Sequence, residues 1–180
     1  VLRAALRPET VLVSVMLANN ETGAIQPVPE VAALVHEAGG LLHVDAVQAL
    51  SKIPINIKAL GADILTISAH KVGGPKGIGT VAAAAGVEGL HALLRGGGQE
   101  QGRRAGTENV PGIAGFGAAV RAAVASMDVD ASRMRSLQAR LETGLRTHPG
   151  TVIFSDTVSS LPHTTLVSAP GLKAEPAVIG

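Results

Sequence analysis

Three short apolar runs, each stopping abruptly in polar residues, constrain this chain more than any other feature. They cover residues 10–17 (TVLVSVML), 41–46 (LLHVDA) and 61–68 (GADILTIS). Runs of this length, rich in Val, Ile and Leu, read as strands. The near-continuous apolarity of the first suits a strand buried on both faces, as in a parallel sheet covered by helices. Between the first two runs, Pro27 and Pro29 sit where helix starts tolerate proline. Val31, Leu34, Val35 and Ala38 then share one helical face, and Gly39-Gly40 ends it. The result is a β-α-β unit, with a right-handed crossover expected.

The rest of the chain extends this pattern. Residues 48–52 read as a short helical turn stopped by Pro54, and 79–85 as a fourth strand returning after a glycine loop. Helices are expected over 87–94, 110–127 and 130–147. The break between the last two falls at Asp128-Val129-Asp130, with Asp130 as N-cap. Residues 151–155 and 164–168 read as strands of a separate layer. Both ends of the sequence look like cuts through helices of a longer protein. The expected fold is α/β: a central, mostly parallel sheet flanked by helices, with the start of a smaller α+β domain. The division falls as 1–125 and 126–180.

Composition narrows the function. Hydrophobic residues make up 46%, charged residues 16%, and the formal net charge is +1. Nothing in that balance calls for nucleic acid or an anionic membrane. Phe116 and Phe154 are the only aromatics, so no platform exists for stacking bases. No apolar stretch approaches the roughly 20 residues of a membrane span. The chain has no cysteine, which excludes disulfides, thiolate metal sites and a cysteine nucleophile within it.

The chemistry-bearing residues lie where the apolar runs stop. The first run gives Asn19, Asn20 and Glu21; the second gives His43, Asp45 and, one turn later, Gln48; the third gives Ser68, His70 and Lys71. Parallel strands would line these ends along one rim, where ligands bind in open α/β sheets. A free lysine has a pKa of roughly 10.4. Burial and a neighbouring cation would favour its neutral, nucleophilic form, as a Schiff-base lysine needs. Asp45, flanked by Val44 and Ala46, is either a buried structural carboxylate or the partner of a cationic ligand group such as a pyridinium nitrogen.

Other readings of the same residues stay open. His43, Asp45 and His70 could form a metal site, although the spacing carries little weight. His36, His91, His148 and His163 read as structural or exposed. Gly73-Gly74-Pro75-Lys76-Gly77 lacks the Gly-Lys-Ser/Thr opening of a phosphate-binding P-loop. Residues 96–109, with Arg103, Arg104 and Thr107, form either a mobile surface loop or an anion site at a helix start.

Taken together and in order, several stretches resemble the cysteine desulfurases of the class V aminotransferase superfamily. They are 18–23 (ANNETG) with Gln26-Pro27, 43–48 (HVDAVQ), 68–71 (SAHK) with 74–79 (GPKGIG), and 96–100 (GGGQE) with Arg104 and 106–109 (GTEN). The resemblance implies the large domain of pyridoxal-phosphate-dependent transferases. Lys71 would hold pyridoxal 5'-phosphate covalently and move the substrate's Cα proton. Asp45 would pair with the pyridinium nitrogen, and Gln48 with the phenolic oxygen. Asn20 would lie near that oxygen and the substrate carboxylate. Ser68 and His70 would bind the phosphate, and Thr107 would reach the phosphate of a neighbouring subunit in a homodimer. No metal is implied.

The implied reaction converts L-cysteine to L-alanine and leaves sulfur as an enzyme persulfide. A sulfur-acceptor protein, such as an iron–sulfur scaffold or a tRNA-thiolation protein, would receive it in the cytoplasm, with no direct nucleic-acid or membrane contact. The family's persulfide cysteine and carboxylate-binding arginine lie beyond Gly180 in this register, so the 180 residues alone are expected to be inactive and poorly stable. The alternatives are a selenocysteine lyase or small-substrate aminotransferase of the same superfamily, a metal-dependent hydrolase, and a non-catalytic interaction module.

Overall fold

The computed structural model describes residues 1–87 and 89–179. Helix α1 (Leu2–Ala5) precedes strand β1 (Leu12–Met16), then come α2 (Val28–Glu37), β2 (Leu41–Asp45), α3 (Ile57–Leu60), β3 (Ile64–Ser68) and β4 (Gly79–Ala83). The sheet runs in the order β1-β2-β3-β4. β1 pairs parallel to β2 and β2 parallel to β3, while β4 returns antiparallel. The carboxyl ends of β1, β2 and β3 therefore share one rim, as the apolar runs predict.

The sheet's core is one-sided. Leu42 and Val44 are fully buried, and Leu65 nearly so, together with Val28, Ala32 and Val35 of α2. Each of the Leu and Val side chains contributes about 1.5–3 kcal/mol on burial. The opposite face, carrying Ser14, His43 and Thr66, is more open, and Leu12 is 52% exposed. The expectation that β1 is buried on both faces is thus corrected. Its apolar residues reflect a parallel neighbour and one covered face, and no described element covers the other.

The sequence leaves α3 unassigned, yet its start is marked. The Asn56 side chain accepts hydrogen bonds from the backbone N–H groups of Lys58 and Ala59, both at 3.0 Å. By contrast, no regular helix forms over residues 89–94, part of the expected helix 87–94. Gly86 and Gly89, both with positive φ, break the pattern there. Glu88 lies outside the described residues.

The long helices are α4 (Val110–Ala125) and α5 (Met127–Leu145), bent by 67° at Ser126. The break therefore comes earlier than expected. Asp130 is inside α5, where its carboxylate accepts a 2.6 Å bond from Ser126 Oγ instead of capping a helix start. Among the described residues no single helix is long and apolar enough to cross a membrane. Beyond α5, β5 (Val152–Ile153) and β6 (Val167–Ser168) make a separate antiparallel pair, and α6 (Ala174–Ile179) follows.

One later segment returns to the first core. Leu161 is fully buried with Leu17, Val28 and Val44. Its N–H donates to Gly23 O at 2.8 Å, and the Ile25 N–H donates to Ser159 O at 2.8 Å. From α5, the Gln138 amide donates to Leu161 O and Thr164 O. These bonds hold residues 159–164 against the loop after β1.

Candidate functional site

Lys71 sits at the tip of a closed hairpin. Ser68 stands opposite Gly79 in the β3–β4 register, and the Ala69 N–H donates to Ile78 O at 3.0 Å. Within this loop a 3-10 turn, Ala69–Val72, carries His70 and Lys71. Gly73 ends the turn at φ 80°, a conformation a side chain would strain. Helix α4 presses on the far side of the loop through missing side chains. A Cβ at Gly112 would lie 2.7 Å from Ile78 Cγ1, and one at Gly115 would lie 2.8 Å from Pro75 Cγ. The absence of side chains at Gly112 and Gly115 thus lets α4 pack on the loop that carries Lys71.

Asp45 ends β2 on the same rim, opposite Thr66 of β3. Its Oδ1 accepts the Val47 N–H at 2.9 Å, and among the described residues it has no other hydrogen-bond partner. Gln48 follows in the next turn, half-buried. Ser68 Oγ and His70 Nδ1 are 2.8 Å apart, which orients the imidazole beside the lysine. In the loop after β1, Asn19 Oδ1 accepts from the N–H groups of Glu21 and Thr22 and from Thr22 Oγ1. That turn presents Asn20 exposed at the rim. Thr107 stands apart, exposed in the segment before α4. There Arg104 donates to Ala105 O and Gly106 O and faces Glu100 at 3.4 Å.

One expectation needs revision, and one open alternative loses its support. Lys71 is exposed rather than buried in this chain, because the rim is open on the side of the uncovered sheet face. Both ring nitrogens of His43 are engaged with hydroxyls instead of being free to ligate: Ser14 Oγ lies 2.7 Å from Nδ1, and Thr66 Oγ1 lies 3.0 Å from Nε2. Among the described residues no group of three or more His, Asp or Glu side chains could hold a metal ion.

The structure adds neighbours that no sequence signal announces. A groove of about 560 Å³ beside Lys71 is walled by Ser51, Lys52, Gly73, Asp130, Arg133 and Met134. His163 lies in the adjoining groove, which shares Met134 and Leu137 with the first. Burial pushes the His163 pKa below the ordinary histidine value, and the charges of Lys52 and Lys71 push it the same way. His163 follows the buried Leu161 and Pro162 in a turn, and only the docking of that segment brings it near the lysines.

The residues present suit pyridoxal phosphate. One Asp45 carboxylate oxygen at the rim has no partner among the described residues and can face a cationic ring nitrogen. A hydroxyl and an imidazole beside it can donate to phosphate oxygens. Lys71 is in no ion pair among the described residues, which leaves its amine available.

Comparison with known proteins gives the family and the fold. The model of the aminotransferase class-V family matches residues 1–177. The chain belongs to the class-V aminotransferases. It is 49% identical over 174 residues to a cysteine desulfurase of Gluconacetobacter diazotrophicus, covering 96% of this chain and 43% of that protein. It is 46% identical over 172 residues to a cysteine desulfurase of Sinorhizobium fredii, covering 95% of this chain and 44% of that one. The solved NifS-like protein of Rickettsia africae superposes with a TM-score of 0.92 at 38% identity, over 99% of this chain and 49% of its own. The class-V chain described here thus spans less than half the length of these relatives. The family depends on pyridoxal phosphate, and the mixed, mainly parallel sheet is the family's fold.

Proposed function

We propose that this chain is the lysine-bearing part of a cysteine desulfurase. The observation that carries the reading is the placement of Asp45 and Lys71 at the carboxyl ends of adjacent parallel strands, on one rim, within a chain 49% identical to a protein of that name. When bound, pyridoxal phosphate supplies an electron sink. Lys71 would hold it covalently, and its Nζ, once freed by the incoming substrate amine, would take and return the proton at the substrate's α-carbon. The Asp45 carboxylate would keep the ring nitrogen protonated. Gln48 would donate to the phenolic oxygen, Asn20 would orient the substrate carboxylate beside it, and Ser68 with His70 would hold the phosphate.

The substrate in this reading is L-cysteine. Its sulfur passes to a cysteine thiol outside these 180 residues, giving L-alanine and a persulfide that an iron–sulfur scaffold or tRNA-thiolation protein accepts. Such thiol chemistry needs a reducing compartment, so we place the protein in the cytoplasm. Thr107 reaches the phosphate of a second subunit. In support, it is exposed, and the neighbouring apolar residues Val110 and Ile113 of α4 are 66% and 45% exposed. We assign 1–125 to the cofactor-binding domain and 126–180 to the connecting helix and the start of the smaller domain. The bend at Ser126 and the separate β5–β6 pair support that division.

The test is absorbance and product analysis on the full-length protein. The expected result is a band near the edge of the visible range that borohydride bleaches, its absence in Lys71→Ala, and alanine formed from L-cysteine. A colourless wild-type protein, or one that releases no alanine, would overturn the proposal.

A further inference from the structure

A polar row crosses the open face of the sheet. Ser14 Oγ lies 2.7 Å from His43 Nδ1, and His43 Nε2 lies 3.0 Å from Thr66 Oγ1. In the strand register Ser14 stands opposite His43, whereas Thr66 stands opposite Asp45. The imidazole therefore leans toward the rim, and its Nε2 reaches the level of the carboxylate. His43 and Asp45, two residues apart on one strand, project from the same face.

We propose that His43 is a positioning residue for Asp45. Its ring, tied at both nitrogens, closes the inner side of the carboxylate and keeps the unpartnered oxygen turned to the rim. A ring bonded at one nitrogen can pivot, but one bonded at both cannot. Ser and Thr hydroxyls each donate or accept, so they hold the imidazole in either neutral tautomer or as a cation. A ring in that place also keeps water from the inner side of the carboxylate, which lessens the screening of its charge. The inference rests on the proposed role of Asp45 toward a cationic ring nitrogen, and it assigns His43 no contact with substrate or cofactor.

The experiment is a double-mutant cycle on the full-length protein loaded with pyridoxal phosphate, reading the rate of cofactor loss by absorbance. His43→Leu is expected to speed cofactor loss roughly tenfold, equivalent to about 1.4 kcal/mol. In an Asp45→Asn background the same change is expected to act less than twofold, because the group it positions is gone. Equal factors in both backgrounds, or no effect in either, would overturn the proposal and leave the row a structural ladder. If His43→Leu fails to fold, Thr66→Val, which releases one ring nitrogen only, is read by the same cycle. A wild-type protein without a borohydride-sensitive band overturns the reading of the site, and the role of His43 with it. A wild-type band with additive variants overturns the role of His43 alone.

Discussion

A Cβ added to Gly115 of α4 would lie 2.8 Å from Cγ of Pro75, four residues beyond Lys71. No real pair of carbons sits that close, so either the helix or the lysine loop would have to move. Gly115→Ala is therefore expected to destabilise the protein by about 1–3 kcal/mol, the usual cost of overpacking. It should also weaken cofactor retention, since the displaced loop carries Lys71. Urea midpoints and the borohydride-sensitive absorbance of the full-length variant check both. Unchanged stability would mean that α4 and the loop are free to separate.

Asp63 joins three elements. Its Oδ2 accepts the Leu42 N–H at 2.7 Å and faces His36 Nε2 of α2 at 2.9 Å. Burial alone would raise its pKa. The Leu42 hydrogen bond, the His36 hydrogen bond and the His36 charge outweigh that and hold it below the ordinary carboxylate value. A depressed folded pKa contributes stability that is present above the unfolded value, near 3.9, and is lost as pH falls through the lower folded value. Asp63→Asn is expected to cost about 1–2 kcal/mol at neutral pH and to flatten the acid limb of stability. An unchanged acid limb would count against the clasp.

His163 behaves in the opposite sense for its charge. Its folded pKa is lowered by burial and by Lys52 and Lys71, so the unfolded chain binds the proton more readily. Its contribution is complete above the unfolded value, about 6.5. It is lost as pH falls from there toward the lower folded value. His163→Gln should remove that slope from a denaturation series between neutral and mildly acid pH. A slope that survives the substitution would place its origin elsewhere.

Ser51 holds φ at 62° while nearly buried, and its Oγ accepts from Lys52 Nζ at 3.2 Å. A non-glycine residue in that region costs of order 1 kcal/mol or more. Glycine's greater freedom in the unfolded chain takes back about 0.5–1 kcal/mol. Ser51→Gly is expected to raise stability by up to about 1 kcal/mol, read as a shift in thermal midpoint. A drop would show that the Ser51 hydroxyl contributes more than the backbone strain removes.

The strands, their polar ends and the helix between the first two were legible because their causes are local. Apolar runs of strand length, Pro27 and Pro29 at a helix start, and Gly39-Gly40 at its end each act within a few residues. The break near residue 126 was legible only approximately. Asp130 has the chemistry of a cap, but it lies one turn inside α5, bonded to Ser126 at the break itself. The expected helix at 87–94 fails where Gly86 and Gly89 adopt positive φ, and Leu93 and Leu94 stay exposed.

Residue identity and order alone determined that a lysine and a carboxylate would stand at the ends of neighbouring strands, because strand direction and the parallel pairing follow from the β-α-β pattern. Tertiary structure decided which face of the sheet is covered, that Lys71 is exposed, and that His43 is tied to Ser14 and Thr66. It also brought His163 beside Lys52 and Lys71 from the far end of the chain. Those outcomes depend on contacts between segments far apart in sequence, and no local pattern of hydrophobicity, charge or glycine encodes such distances.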